Sequence, residues 1–242
     1  MRAGHTVAEV YGAVAAIQNA GLANFNLDLL MGLPGQTLAQ WEDSLERAIA
    51  LAPTHISMYD LILEPGTVFA RRFRPAAEDL TLSMYRLGRE RLTGVGFEHY
   101  EISNLAQPGY RCAHNLTYWR GQGFYGVGNG AASLVDGWRW ERPRPLKGYF
   151  AWVDGLTAPP QGDRLPEGER LFEGLMQGLR LAEGVSQDFL AAFAPDLVAR
   201  AAAVLEGFAT QGLAHRGDHW RLTVPEGWLV VRYPHLRRYT QR

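Results

Sequence analysis

Between residues 25 and 102 the sequence alternates short apolar runs with amphipathic stretches and spends few residues on the connections. That alternation constrains the fold more than any other feature, because parallel strands need a crossover, usually a helix, between them. Phe25–Met31 (FNLDLLM) is a short apolar run of the buried-strand kind, and the turn Gly32-Leu-Pro-Gly35 follows it. Thr37 and Gln40 form a capping box, which predicts a helix with Leu38, Trp41, Leu45, Ala48 and Ile49 on one face until Pro53 ends it. His55–Ile62 reads as a second strand. A helix from Asp79 to Leu92 turns Leu80, Met84 and Leu87 inward and stops at Gly94 and Gly96, and Phe97–Ile102 reads as a third strand. Ahead of these, Thr6 and Glu9 make another capping box, with Val10, Tyr11, Val14 and Ile17 at helical spacing and Gly21 at the C-terminal end. The pattern predicts parallel βα units, in an open sheet or in part of a (β/α) barrel.

Past Ser133 the character changes. Residues 134–165 are rich in Trp, Arg, Pro and Gly and predict a hairpin followed by a linker. From Glu167 a smaller helical region begins, with Leu171, Leu175 and Leu179 on one helix. Ser186 then caps a helix bearing Phe189, Leu190 and Phe193, and Leu197–Phe208 forms another. His215–Val224 reads as a hairpin around Gly217 and Asp218, so the order of elements is that of a winged-helix domain. The expected fold class is α/β: later βα units of a partial barrel over 1–105, a polar, aromatic and glycine-rich segment with hairpin and linker over 106–165, and a small helical domain over 166–242.

A net charge of −1 argues against a general attraction to nucleic acid or anionic membrane. Arg216, Arg221, Arg232, Arg237 and Arg238 are interleaved with acids, and residues 196–208 carry a single arginine, Arg200, so a solvated surface is expected there rather than a DNA contact. No apolar run approaches the ~20 residues of a membrane span, and MRAGHTVAEVYGAV lacks the layout of a signal peptide, which points to the cytoplasm. The sequence has one cysteine, Cys112, so it holds no internal disulfide and no CxxC-type metal or cluster site.

Two places carry side chains suited to chemistry. Asp28 interrupts an apolar strand just before a turn. It either faces a ligand, as polar residues at the C-terminal ends of barrel strands do, or caps the turn. Cys112-Ala-His114-Asn115-Leu-Thr-Tyr118-Trp119 combines two good haem-iron ligand types with a flat apolar wall. The alternative is a loop whose His and Asn satisfy backbone groups while the aromatics fill core. Gly121, Gly123 and Gly126 match the dinucleotide fingerprint GxGxxG literally. Gly128 and Gly130 stand where its helix should start, so the glycines are expected to let the backbone pass close to a ligand or a neighbouring strand.

NLDLLMGLPGQT (26–37), HISMYDLILEPGT (55–67), HYEISN (99–104), CAHNLTYW and YGVGNGAAS (112–133) resemble the radical S-adenosylmethionine family of oxygen-independent coproporphyrinogen III oxidase-like proteins, closest to its haem chaperone branch, HemW. The resemblance covers the chain, strongly to Ser133 and loosely beyond. It implies the later part of a radical SAM barrel followed by the family's C-terminal domain. It also implies that Asp28 contacts S-adenosylmethionine, that Ile62 and Ala132 line the same pocket, and that His114, Asn115, Tyr118 and Trp119, with Cys112 beside them, bind haem. The family's CxxxCxxC section, whose thiolates hold a 4Fe–4S cluster, is absent from this sequence, and Ala3 stands where the family usually has an arginine two residues before His5. The expectation is an N-terminally truncated member, inactive alone as a radical enzyme, that binds haem or a porphyrin and passes haem to an accepting protein. The alternative is part of a coproporphyrinogen III oxidase that decarboxylates propionates through a 5′-deoxyadenosyl radical. A half barrel also leaves a sheet edge open, which predicts self-association.

Overall fold

The computed structural model describes residues 5–156 and 162–223. Two compact units divide the chain, residues 1–112 and 113–242. Arg2 and Ala3, part of the linker, the end of the last hairpin, and Arg232, Arg237 and Arg238 lie outside the described residues.

In the first unit, α1 (Val7–Asn19) starts at the Thr6/Glu9 capping box and β1 (Asn26–Met31) follows. The second capping box starts α2 (Leu38–Ala50), which leads to β2 (His55–Asp60). A short α3 (Val68–Arg72), not signalled by hydrophobic spacing, precedes α4 (Glu78–Gly94), then β3 (Glu98–His99) and β4 (Asn104–Ala106). β1 and β2 pair in parallel, with Asp28 opposite Ser57. The third parallel strand expected over 97–102 is shorter and displaced. The chain turns back at Glu101–Asn104, so β4 runs antiparallel against β2 and holds β3 at the sheet edge, in the order β1-β2-β4-β3.

The helices cover one face of this sheet. Trp41 and Leu45 of α2, Met84, Tyr85 and Leu92 of α4, and Ile56 and Met58 of β2 are fully buried. Trp41 Nε1 donates to Met84 O at 2.8 Å, so its one polar atom is satisfied inside the core. Gly88 is where α4 meets the sheet: a Cβ there would lie 2.5 Å from Met58 Sδ and 3.3 Å from Trp41 Cζ2. Side chains alternate along a strand, so β1 and β2 turn Asn26, Asp28 and Leu30, with His55, Ser57 and Tyr59, to the face away from the helices. The fold thus puts Asn26, Asp28, His55 and Ser57 on one surface.

In the second unit, α5 (Ala113–Trp119) is followed by the glycine-rich segment and the hairpin of β5 (Ala132–Val135) and β6 (Trp138–Glu141). Next come α6 (Leu146–Asp154), inside the region read as linker, and β7 (Asp163–Arg164), which completes a three-stranded antiparallel sheet. α7 (Glu167–Gly178), β8 (Val185–Ser186), α8 (Gln187–Ala191), α9 (Pro195–Thr210), β9 (Ala214–Arg216) and β10 (His219–Leu222) form the winged-helix-like part, whose sheet order is β8-β10-β9. Ser186 caps α8 through Phe189 N, as the sequence pattern predicts. Arg200 pairs with Asp196 and Arg216 with Glu206.

Candidate functional site

On the polar face of the first unit, Asn26 Nδ2 donates to Asp28 Oδ1 at 2.7 Å. Its Oδ1 then faces His55 Nδ1 at 2.7 Å and accepts from Ser57 Oγ at 3.3 Å. An amide oxygen only accepts, so His55 Nδ1 must carry the proton and Nε2 is left to accept from Tyr100 Oη, 2.8 Å away. Tyr100 Oη in turn accepts from Cys112 N at 3.4 Å. Burial holds the His55 imidazole below its ordinary pKa, which keeps this neutral tautomer, while the nearby Asp28 carboxylate pulls weakly the other way. Asp28 is exposed at one end of the chain of hydrogen bonds, and His55 and Tyr100 are buried. An open carboxylate with one lone-pair region engaged can still accept from a ribose hydroxyl or an amino group. Ile62, just past β2, is 73% exposed.

In the second unit the segment from His114 to Trp119 is a helix and not the loop that its polar content allows. Helical spacing sets His114 and Tyr118 on one face, and their rings meet edge to face at 4.9 Å. Tyr118 meets Phe124 in the same way at 4.7 Å. Leu116 faces the core, Asn115 and Trp119 are half-buried, and His114 is exposed. The Arg180 guanidinium lies 5.5 Å above the Trp119 ring. Cys112 is half-buried as a free thiol and closes the first unit, whereas His114 belongs to the second.

The glycines beside this helix make room for backbone. Phe124 bridges Leu134 of β5, and a Cβ on Gly126 would sit 2.1 Å from Ala132 O. Of the two roles expected for these glycines, the structure gives close approach to a neighbouring strand. Tyr118, Trp119 and Ala132 belong to the wall of a cavity of about 930 Å³ that also takes in one face of α7. Two cations on that wall are neutralised in place. Arg139 grips Glu173 through two bonds of 2.9 and 2.7 Å, and Arg120 grips Glu183 at 2.9 and 3.2 Å. The Arg139 guanidinium holds the Glu173 carboxyl below the usual carboxylate range. Asp28 and Ile62 therefore stand in one unit and Ala132 in the other.

Sequence comparison matches this architecture to known proteins. A family model, the HemN C-terminal domain, matches residues 165–230. The haem chaperone HemW of Synechocystis is 44% identical over 190 residues, covering 75% of this chain and 46% of the relative. HemW of Escherichia coli is 34% identical over 230 residues, 90% of this chain and 59% of the relative. The chain is similar to haem chaperones named HemW over most of its length, and residues 165–230 match the HemN C-terminal domain. Among solved structures, the E. coli coproporphyrinogen III oxidase HemN, described as a radical SAM enzyme, superimposes with a TM-score of 0.74 over 94% of this chain and 57% of that one, at 20% identity. The fold is therefore that of part of HemN, a partial barrel followed by a small C-terminal domain. The chain spans about half the length of the curated HemW relatives it matches.

A 4Fe–4S cluster needs several thiolates. This chain has one, and among the described residues no group of three or more His, Cys, Asp or Glu side chains converges. Its residues do not fit such a cluster. No helix among the described residues is long and apolar enough to cross a membrane. The sequence pattern singles out Asp28 and His114 but not Asn26, His55 and Tyr100, which the structure bonds together beside Asp28. The period-two polar pattern shared by β1 and β2 was the signal that could have found the first two.

Proposed function

We propose that the chain binds haem, with His114 offered to the iron and Tyr118 against the macrocycle, and that it serves haem trafficking to an accepting protein. One observation carries this reading. α5 holds an exposed imidazole edge-on to an aromatic ring that is itself part of a cavity wall. A solvent-accessible imidazole can reach iron, and a neighbouring flat apolar surface can cover a porphyrin. Asn115 and Trp119 support the helix from its half-buried side, and the Cys112 thiol is the second candidate ligand. The relatives named haem chaperones support the same cargo.

Asp28 is proposed to accept hydrogen bonds from S-adenosylmethionine, with Asn26 fixing its carboxylate and Ile62 contributing apolar surface. The proposed location is the cytoplasm. β1 is an edge of its sheet, and pairing of that edge with a second copy is the proposed route to self-association; a monodisperse monomer in light scattering would count against it.

The test is a haem titration followed at the Soret band. Saturable binding is expected, weakened at least about tenfold by His114→Ala, roughly 1.4 kcal/mol. Binding that never saturates, or that the folded variant keeps in full, would overturn the reading.

A further inference from the structure

The cavity in the second unit holds a cation that the haem reading does not use. α7 has two faces. Leu171 and Leu179 are buried in the core, whereas Arg170, Glu173, Gly174, Gln177 and Gly178 form a second helical stripe along the cavity. Gly174 is needed there because Phe189 of α8 lies against it; a Cβ would meet Phe189 Cζ at 2.1 Å. Phe193 supplies another aromatic wall, and the Arg170 guanidinium leans over it at 5.6 Å.

Arg170 differs from the cavity's other arginines. Arg120 and Arg139 are each satisfied by a glutamate, but Arg170 is half-buried and makes no ion pair among the described residues. Asp136, on the exposed turn of the β5–β6 hairpin, also borders the cavity and does not pair with it. His219 of β10 borders the cavity too, and its ring bonds to no described residue. A guanidinium set on an aromatic face keeps its donor fork free, and that fork matches the two oxygens of a carboxylate. The volume, about 930 Å³, lies within the usual range for small-molecule sites.

We propose that this cavity binds the carboxylate edge of a flat apolar ligand, with Arg170 receiving the carboxylate between the Phe189 and Phe193 walls. Resting on the haem reading, the ligand class is a tetrapyrrole with acidic side chains. Arg170 grips the acid independently of the iron, and His114 sees only the iron. The cavity therefore discriminates acid from ester, and α5 discriminates metal from no metal.

The experiment uses metal-free protoporphyrin IX and its dimethyl ester, titrated by fluorescence into the full chain. The free acid is expected to bind saturably and at least about tenfold more tightly than the ester, the scale of one charge-assisted pair. Arg170→Gln should bring the acid down to the ester's affinity and leave the ester unchanged. Arg170→Lys should restore part of the difference, which separates charge recognition from loss of packing on Phe193. His114→Ala should weaken haem at least about tenfold and leave the affinity for the metal-free acid unchanged. An acid-to-ester ratio unchanged in folded Arg170→Gln, or no saturable binding of the free acid to the folded wild type, overturns the proposal. If haem still binds in either case, the His114 reading survives it.

Discussion

The two units build polar surface by opposite means. In the first, Asn26, His55 and Tyr100 are joined by hydrogen bonds beside the strands, and Asp28, at the end of the run, is open with an oxygen to spare. In the second, rings and paired arginines line an aromatic cavity, and one arginine is left without a counter-ion among the described residues. A strand ladder fixes neighbouring side chains at set spacings, so a closed hydrogen-bonded chain can form across it. The cavity is assembled from helix, glycine segment and hairpin, whose meeting leaves space. The first arrangement orients a single carboxylate; the second encloses a space of about 930 Å³.

Four changes test that contrast. The largest effect is expected in the helix-covered core of the first unit. Trp41→Ala removes a fully buried indole and its bond to Met84 O, and should cost about 3–5 kcal/mol in urea unfolding. A loss below 1 kcal/mol would mean that this core is not close-packed.

Gly126→Ala in the second unit should cost about 1–3 kcal/mol, because its methyl would strike the Ala132 carbonyl, and backbone yields less readily than a side-chain tip. An unaffected melting temperature would show that the glycine segment does not lie on β5.

pH should separate the units further. Burial lowers the His55 pKa, so the unfolded chain protonates first as pH falls. The stability that His55 contributes is complete above its ordinary value of 6.5 and is lost as pH drops from there through the folded pKa. Urea midpoints measured from pH 8 to 5 should fall, and His55→Gln should flatten that slope; an equal slope in the variant would remove His55 from the explanation.

The smallest effect belongs to the cavity's paired charges. Arg139→Gln should change stability by less than about 1 kcal/mol, since both partners are more than a third exposed and water screens them. A larger loss would put the Arg139–Glu173 pair among the supports of the cavity rather than on its surface.

What the sequence determined on its own was local. Two capping boxes placed α1 and α2, the apolar runs placed β1 and β2, and the motif around His114 marked the segment on which the haem proposal rests, though not that it is helical. Each signal lies within a few residues, where helix and strand periods are legible. Tertiary structure alone decided the rest. The turn at Glu101–Asn104 sent β4 back beside β2 in place of a straight third strand. His55 meets Asn26 and Tyr100 across 29 and 45 residues, a separation no local pattern reports. Arg170 looks in sequence like any solvated helix charge. It becomes a candidate binding group only where α7 turns that stripe toward Phe189 and Phe193, because a charge acquires a role from what surrounds it in space.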